Sequence, residues 1–195
     1  MSSSPLAPWR TPLARALHRN RSKAYSRYPQ LATVRPSGRP ANRTVVFRDF
    51  VPETNRLVFI TDIRSQKIEQ IEGAAAAELC WYFTETREQF RLGGETSVIT
   101  DSLEDAACQA IRDRAWEKLS ENSRQQFAWP EPGLPRVQTG YDPVDLSESP
   151  PLSTFAVLVF EPDFVDHLEL RGAPQNRYQY RRQADWSWQT AEVNP

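Results

Sequence analysis

Proline and glycine clusters cut this chain into short runs, and most of those runs are built from β-branched and aromatic residues. Leu31–Val34 and Asn42–Phe50 are strand-like and flank Pro36-Ser37-Gly38-Arg39-Pro40, a turn by composition. A second turn at Pro52–Asn55 leads into Leu57–Thr61. Glu78–Phe83 and Gln89–Ile99 follow, and Gly93-Gly94 inside the second predicts a bulge or a close backbone approach. Phe155–Phe160, Phe164–Leu170, Arg177–Arg182 and Trp186–Glu192 complete the strands. Helical signals are fewer. Thr11-Pro12 reads as a helix start, with Leu13, Ala16 and Leu17 as its apolar stripe. Ser65–Glu72 places Ile68 and Ile71 on one face. Ser102, with Asp105 three residues on, reads as the cap of a helix running to about Leu119. Ser120–Phe127 adds a turn or two, stopped by Pro130 and Pro132. Many short strands joined by turns, with few helices, point to a mainly β fold: an antiparallel barrel with helices packed outside. One domain over 1–195 is expected, with an arm and helix at 1–28 and an acidic, proline-rich loop at 133–152.

Charge is unevenly distributed. Residues 1–48 hold ten Lys or Arg and no Asp or Glu, although the whole chain nets only −1. Such a start fits an organelle leader, an anion site or a nucleic-acid patch. The basic composition continues into the first strand pair, which argues against a removable leader. The net charge and the absence of a nucleic-acid motif argue against a nucleic-acid partner. No apolar run approaches the ~20 residues of a membrane span. Cys80 and Cys108 lack CxxC spacing, so neither zinc nor a disulfide framework is expected, and a reduced cytoplasmic chain is the default. With only His18 and His167 available, no metal cluster is apparent. GxSxG, GxGxxG and GxxxxGK[ST] are all missing, so redox chemistry here needs an organic cofactor.

Four segments suit a phosphorylated aromatic ligand. In Arg43-Thr44-Val45-Val46-Phe47-Arg48, alternation puts Arg43, Val45 and Phe47 on one face and Thr44, Val46 and Arg48 on the other. An arginine at the strand start can fork onto phosphate. Ile60-Thr61-Asp62-Ile63-Arg64-Ser65-Gln66-Lys67 runs from strand to polar turn to helix start, which suits a phosphate dianion. Thr86–Arg91 offers Gln89 to a heterocycle edge, and Pro174–Arg182 is a cationic, aromatic strand. Each alone is equally an ordinary strand, turn or solvated edge.

Their order and spacing resemble the pyridoxamine 5′-phosphate oxidase family, the FMN-binding split barrels. The resemblance spans about Leu31 to Pro195 and rests on the arginine-led strand, Leu57–Thr61, Ser65-Gln66-Lys67, Arg87-Glu88-Gln89, Val165–Leu168 and Asn176-Arg177. Ala7–Arg10 and Ala128–Gly133 resemble a divergent branch of that family. The resemblance implies an antiparallel split barrel that is a homodimer with FMN at the subunit interface. Arg43, Thr44, Val45, Val46, Ile60 and Thr61 would then contact flavin, with Lys67 on its phosphate and Gln89 on its ring. Arg177 would reach the flavin from the partner, and Arg48 would face substrate.

Departures are informative. The family's Ser-Arg-Lys is Ser65-Gln66-Lys67 here, which makes Arg64 the replacement cation. The flavin-stacking tryptophan is replaced by His167 or Leu168, leaving Trp129 as the substitute. The substrate-phosphate trio Tyr, Arg, Ser falls on Trp116, Ser120 and Arg124, so Arg124 is its one cation. Ala173 and Gln175 stand where the Arg-x-His that holds the pyridoxal ring is expected. The implied activity is an FMN-dependent oxidoreductase acting on a small anionic amine or alcohol. The alternative is a non-catalytic flavin- or tetrapyrrole-binding module.

Overall fold

The computed structural model describes residues 6–195. Helix α1 (Arg10–Arg19) and a 3₁₀ turn (Ala24–Arg27) precede strands β1 (Gln30–Val34), β2 (Pro40–Thr44), β3 (Asp49–Phe50) and β4 (Leu57–Asp62). Helix α2 (Lys67–Gly73), β5 (Ala76–Phe83) and β6 (Glu88–Ile99) follow, then α3 (Ala106–Glu117) and α4 (Glu121–Gln125). Strands β7 (Phe155–Glu169), β8 (Asn176–Arg182) and β9 (Trp188–Glu192) end the chain. Every pairing is antiparallel, in the order β2-β1-β5-β6-β7-β4-β3, with β8 on β7 and β9 on β8.

The long strand β7 organises the molecule. One edge pairs with β6 over most of its length. The other edge pairs with β4 along Phe155–Phe160 and with β8 along Phe164–Glu169. The two stretches read as separate strands in the sequence are thus one strand that changes partner at Pro162. Proline fits there because the β6–β7 register shifts between Gly93 and Gly94, the bulge expected from the glycine pair. A Cβ on Gly94 would lie 2.2 Å from the Glu161 carbonyl oxygen and 2.8 Å from the Pro162 Cα, so only glycine fits.

Phe155–Phe160 is buried throughout, and its alternation feeds two cores. Leu158 and Phe160 point into the barrel with Leu31, Phe59, Trp81 and Phe90. Phe155, Val157 and Val159 point outward against Trp116, Leu119 and Phe127. The first core also takes Trp9, Leu13 and Ala16 from α1. Asn20 fixes the end of that helix: its side chain donates to Thr86 Oγ1 (3.1 Å) and accepts from the Glu85 amide (2.9 Å). The acid-free N-terminal stretch from Leu6 onward is therefore an integral layer of the barrel.

Three local expectations change. The strand expected over Asn42–Phe50 breaks after Thr44. The segment leaves β1 and crosses to β4: the Val45 amide bonds the Pro29 carbonyl (3.0 Å), and the Arg48 amide bonds Val58 (2.9 Å). The cap of α3 is Asp105, whose side chain accepts from the Cys108 amide at 2.8 Å, and not Ser102. Helix α1 starts two residues earlier than expected, with Trp9 in place of Thr11 at its N-cap and no side-chain cap. Residues 133–152 carry no regular element, as expected.

Candidate functional site

The crossing segment, β4, the start of α2 and the loop after α4 enclose a cavity of about 580 Å³. Small-molecule sites commonly measure ~300–1,000 Å³. Alternation decides what the crossing segment shows to it: Val45 and Phe47 sink into the barrel core, and Thr44, Val46 and Arg48 line the cavity, Val45 reaching its edge. Ile60, Thr61 and Asp62 line it from β4, and Lys67 from α2. Trp129, Arg136 and Tyr141 close the far side, with Trp129 packed edge-on to Tyr141 at 5.9 Å.

The polar end is built around Lys67. Its Nζ donates to Thr61 Oγ1 and to Ser65 Oγ, each at 2.8 Å. Burial, followed by repulsion from Arg43, lowers the Lys67 pKa, with Asp62 working the other way. A bound anion would offset that penalty. Arg64 grips Asp62 through Nε (2.9 Å) and Nη2 (2.5 Å) and also donates to the Trp129 carbonyl at 3.0 Å. It thereby ties the β4–α2 turn to the loop that carries Trp129. Its pKa is raised chiefly by the hydrogen bond to Asp62.

The other sequence-predicted residues lie elsewhere in the single chain. Arg43 does not line the cavity: it donates to Thr33 Oγ1 (2.6 Å) and Gln70 Oε1 (2.7 Å), bracing β2 and β1 against α2. Gln89 is half-buried on β6 opposite Tyr82 and Leu168. Arg177 reaches from β8 to Asp166 on β7 with two bonds, 2.9 and 2.8 Å. Arg124 spans the Leu146 and Ser147 carbonyls (3.0 and 3.2 Å), pinning the 133–152 loop. Trp116 is buried with its indole nitrogen on the Ser149 carbonyl (2.8 Å), and Ser120 caps α4. Sequence reasoning missed Ser123, Gln126, Arg136 and Tyr141 on the cavity wall. They sit on a short helix and an aperiodic loop, where no spacing rule marks a facing side chain.

Strands β6 and β7 also gather Glu88, His167 and Glu169, whose ligating atoms lie within 4.8 Å of one another. The sequence showed no such group, because the carboxylate and imidazole are 79 residues apart and meet only through the strand register. His167 stacks on Phe90 (4.0 Å between centroids) and bonds Glu88 through Nε2 at 2.9 Å.

Comparison with known proteins places this architecture. The family model described as pyridoxamine 5′-phosphate oxidase, FMN-binding domain, matches residues 6–100. An Arabidopsis thaliana protein named pyridoxine/pyridoxamine 5′-phosphate oxidase 2 is 37% identical over 200 residues, 97% of this chain and 98% of that protein. The chain belongs to the pyridoxamine 5′-phosphate oxidase family. A solved member of that family, described as a pyridoxamine 5′-phosphate oxidase-related, FMN binding protein of Nostoc punctiforme PCC 73102, superposes with a TM-score of 0.95. It is 49% identical and covers 98% of this chain and 100% of its own. PhzG of Burkholderia lata 383, solved with tetrahydrophenazine-1-carboxylic acid, superposes with a TM-score of 0.77 over 95% of this chain and 91% of its own. At 20% identity it shares the fold alone. The chain thus has the split-barrel fold of an FMN-binding family, and no helix among the described residues is long and apolar enough to cross a membrane.

Proposed function

We propose that this family member binds FMN in the cavity between β4, α2 and the Trp129 loop, and works as an oxidoreductase on a small anionic amine or alcohol. The observation that carries this reading is Lys67, partly buried at one end of a large cavity and hydrogen-bonded to two hydroxyls. A phosphate dianion fits that end. Thr44, Val46 and Ile60 offer a strand-lined wall to a flat ring, and Trp129 an aromatic one. Arg48 borders the same cavity, and its Nε is buried with no hydrogen-bond partner among the described residues, which fits a donor reserved for a ligand.

When bound, FMN supplies a hydride acceptor. The chain's part is orientation, charge and exclusion of water. Lys67, Thr61 and Ser65 hold the phosphate end. Arg64 keeps the Trp129 loop against the β4–α2 turn, limiting solvent access. Arg48 offers a cation to an anionic substrate and to negative charge developing on the ring. We further propose a cytoplasmic homodimer with small-molecule substrates, in which Gln89 and Arg177 complete the partner's site; both stand on strands away from the cavity of their own chain.

A second reading, a non-catalytic flavin- or tetrapyrrole-binding module, is favoured by one observation. Trp116, Ser120 and Arg124 are engaged as structural groups at the positions of the family's substrate-phosphate trio. The test is the visible spectrum of the purified protein, followed by fluorescence titration with FMN. Oxidised-flavin bands and a one-to-one quenching end point are expected. A chain that neither carries nor takes up FMN rules out the reading. Amine- or alcohol-dependent bleaching of the bands under anaerobic conditions separates the oxidoreductase from the passive module.

A further inference from the structure

The loop that closes the cavity after α4 is tied down at both ends of one long stretch and not within it. Among the described residues, positions 130 to 143 make no hydrogen bond, backbone or side chain. Just before that stretch, Arg64 Nη2 donates to the Trp129 carbonyl at 3.0 Å. Just after it, the Gln125 side chain donates to the Val144 carbonyl (2.5 Å) and accepts from the Val144 amide (3.0 Å). We propose that residues 130–143 are a flap over the flavin cavity and that Arg64 is a positioning residue rather than a phosphate ligand: by holding Trp129 it sets how long the cofactor stays bound. The residence-time role rests on the flavin reading above; the hold on the flap stands on its own geometry.

The surroundings of Arg64 are the first argument. Arg64 is not among the residues that line the cavity, whereas its two partners, Asp62 and Trp129, both are. Its guanidinium is committed to Asp62 through Nε (2.9 Å) and Nη2 (2.5 Å), and Asp62 Oδ1 also accepts from the Arg64 amide (2.8 Å). A phosphate would have to displace a bidentate carboxylate, which is already a strong geometry for a guanidinium. The hydrogen bond to Asp62 raises the Arg64 pKa against the effect of burial, and Glu131 adds to the rise. The cation thus has one carboxylate on the β4–α2 turn and a second on the flap. The pairing also serves the phosphate end. Asp62 faces the cavity and would repel a dianion; Arg64 cancels that charge and leaves Lys67 as the cation turned toward the ligand.

The flap itself is the second argument. Leu134, Arg136 and Tyr141 line the cavity from it. Trp129 meets Tyr141 edge-on at 5.9 Å, and the Arg136 guanidinium lies 5.1 Å from the Tyr141 ring centroid. Both contacts are internal to the loop, so they shape the flap without fastening it to the barrel. Gly133 (φ +89°) and Gly140 (φ +88°) turn its backbone through conformations that other residues reach only with strain. Fastening therefore falls on Arg64 and Gln125. A cofactor behind the flap leaves only when the flap is displaced, so loosening either end acts on the release rate.

Two variants test this. Asp62→Asn/Arg64→Gln removes the hold on Trp129 without changing the net charge, and Gln125→Ala frees the other end without touching a cavity-lining residue. The first measurement is limited trypsin cleavage of flavin-free protein, with fragments identified by mass. Cleavage after Arg136 should be about ten-fold faster in each variant, the worth of one charge-assisted hydrogen bond. Cleavage after Lys23, outside the flap, should match the parent. Unchanged cleavage after Arg136, or equal acceleration at both sites, overturns the flap. The second measurement is stopped-flow release of FMN and of riboflavin, which lacks the phosphate. A positioning role speeds release of both by a similar factor of about ten in either variant. If the double variant weakens FMN and leaves riboflavin as in the parent, Arg64 is a phosphate ligand and the proposal is wrong. If the parent takes up no flavin, the proposed function fails and the residence-time role with it, while the proteolysis still decides whether Arg64 holds the flap.

Discussion

At the scale of single residues, the two cations expected on the flavin phosphate have different positions. Lys67 faces the cavity and Arg43 braces the sheet against α2. Lys67→Ala should cost about 1.5–3 kcal/mol of FMN binding, the worth of a charge-assisted contact, or about one to two decades in Kd. Arg43→Ala should cost less than that in affinity and show mainly as lower thermal stability. Fluorescence titration beside a melting curve for each variant checks both; equal loss of affinity would put Arg43 on the phosphate. The buried Glu88–His167 pair allows a test of stability. Glu88→Ala removes the hydrogen bond to His167 Nε2 and leaves Glu169 Oε1, at 4.0 Å, as the nearest carboxylate, at a cost of about 1–3 kcal/mol by denaturant unfolding. Burial works to raise the Glu88 pKa, but His167, Thr86 and Arg15 outweigh it and hold the carboxyl below the ordinary range. Its contribution is therefore complete above the unfolded glutamate value of about 4.3 and disappears as pH falls through the lower folded value. The stability difference between parent and Glu88→Ala should shrink over that acid interval; a difference independent of pH would show that the carboxylate charge is not involved.

At the scale of elements, the glycine pair in β6 divides its work. A Cβ at Gly93 meets Phe164 at an ordinary 3.8 Å, whereas one at Gly94 would strike backbone at 2.2 Å. Gly94→Ala should destabilise by about 1–3 kcal/mol or more, the usual cost of overpacking, and Gly93→Ala by much less. Urea midpoints for the two variants check this, and equal midpoints would mean the bulge tolerates a side chain. The bulge was legible because two glycines interrupt an otherwise apolar run. The break in the arginine-led strand was not, since Val45-Val46-Phe47 has strong β propensity; the chain leaves β1 there to join β4. That departure is what turns Thr44, Val46 and Arg48 toward the cavity. Ser102 and Asp105 are both good capping residues, and only the path into α3 selects Asp105.

At the scale of the whole molecule, the proposed homodimer and the identity of the substrate can be tested separately. Arg177 lies on β8, is not among the residues that line the cavity of its own chain, and its guanidinium is held by Asp166. If it serves the partner, Arg177→Ala lowers FMN affinity in a dimer, and sedimentation of the parent gives twice the chain mass. A monomer that retains one flavin per chain would rule this out. Pyridoxamine 5′-phosphate should be a poor substrate, because Arg124 clamps the 133–152 loop and the ring-holding Arg-x-His positions are Ala173 and Gln175. Near-attack geometry suffers from errors of about 1 Å. Steady-state peroxide release should give kcat/KM below roughly 10⁴ M⁻¹s⁻¹; a higher value would show that other residues replace the trio.

The sequence alone determined the strands to within one fusion and one break, the bulge, the loop and the side-chain alternation of the arginine-led segment. These follow from short-range causes: turn residues, side-chain alternation and the absence of a Cβ. It also marked Thr61, Ser65 and Lys67, because a strand running into a helix start keeps those groups within seven residues. What belongs to tertiary structure alone is every pairing across long separations. The partner change of β7, the Glu88–His167 bond, the diversion of Arg43 and Arg124 into bracing roles and the meeting of Arg64 with the Trp129 carbonyl are of this kind. Local propensity carries no information about them, because the energy that fixes each one comes from burying surfaces that the chain brings together only once the barrel has closed.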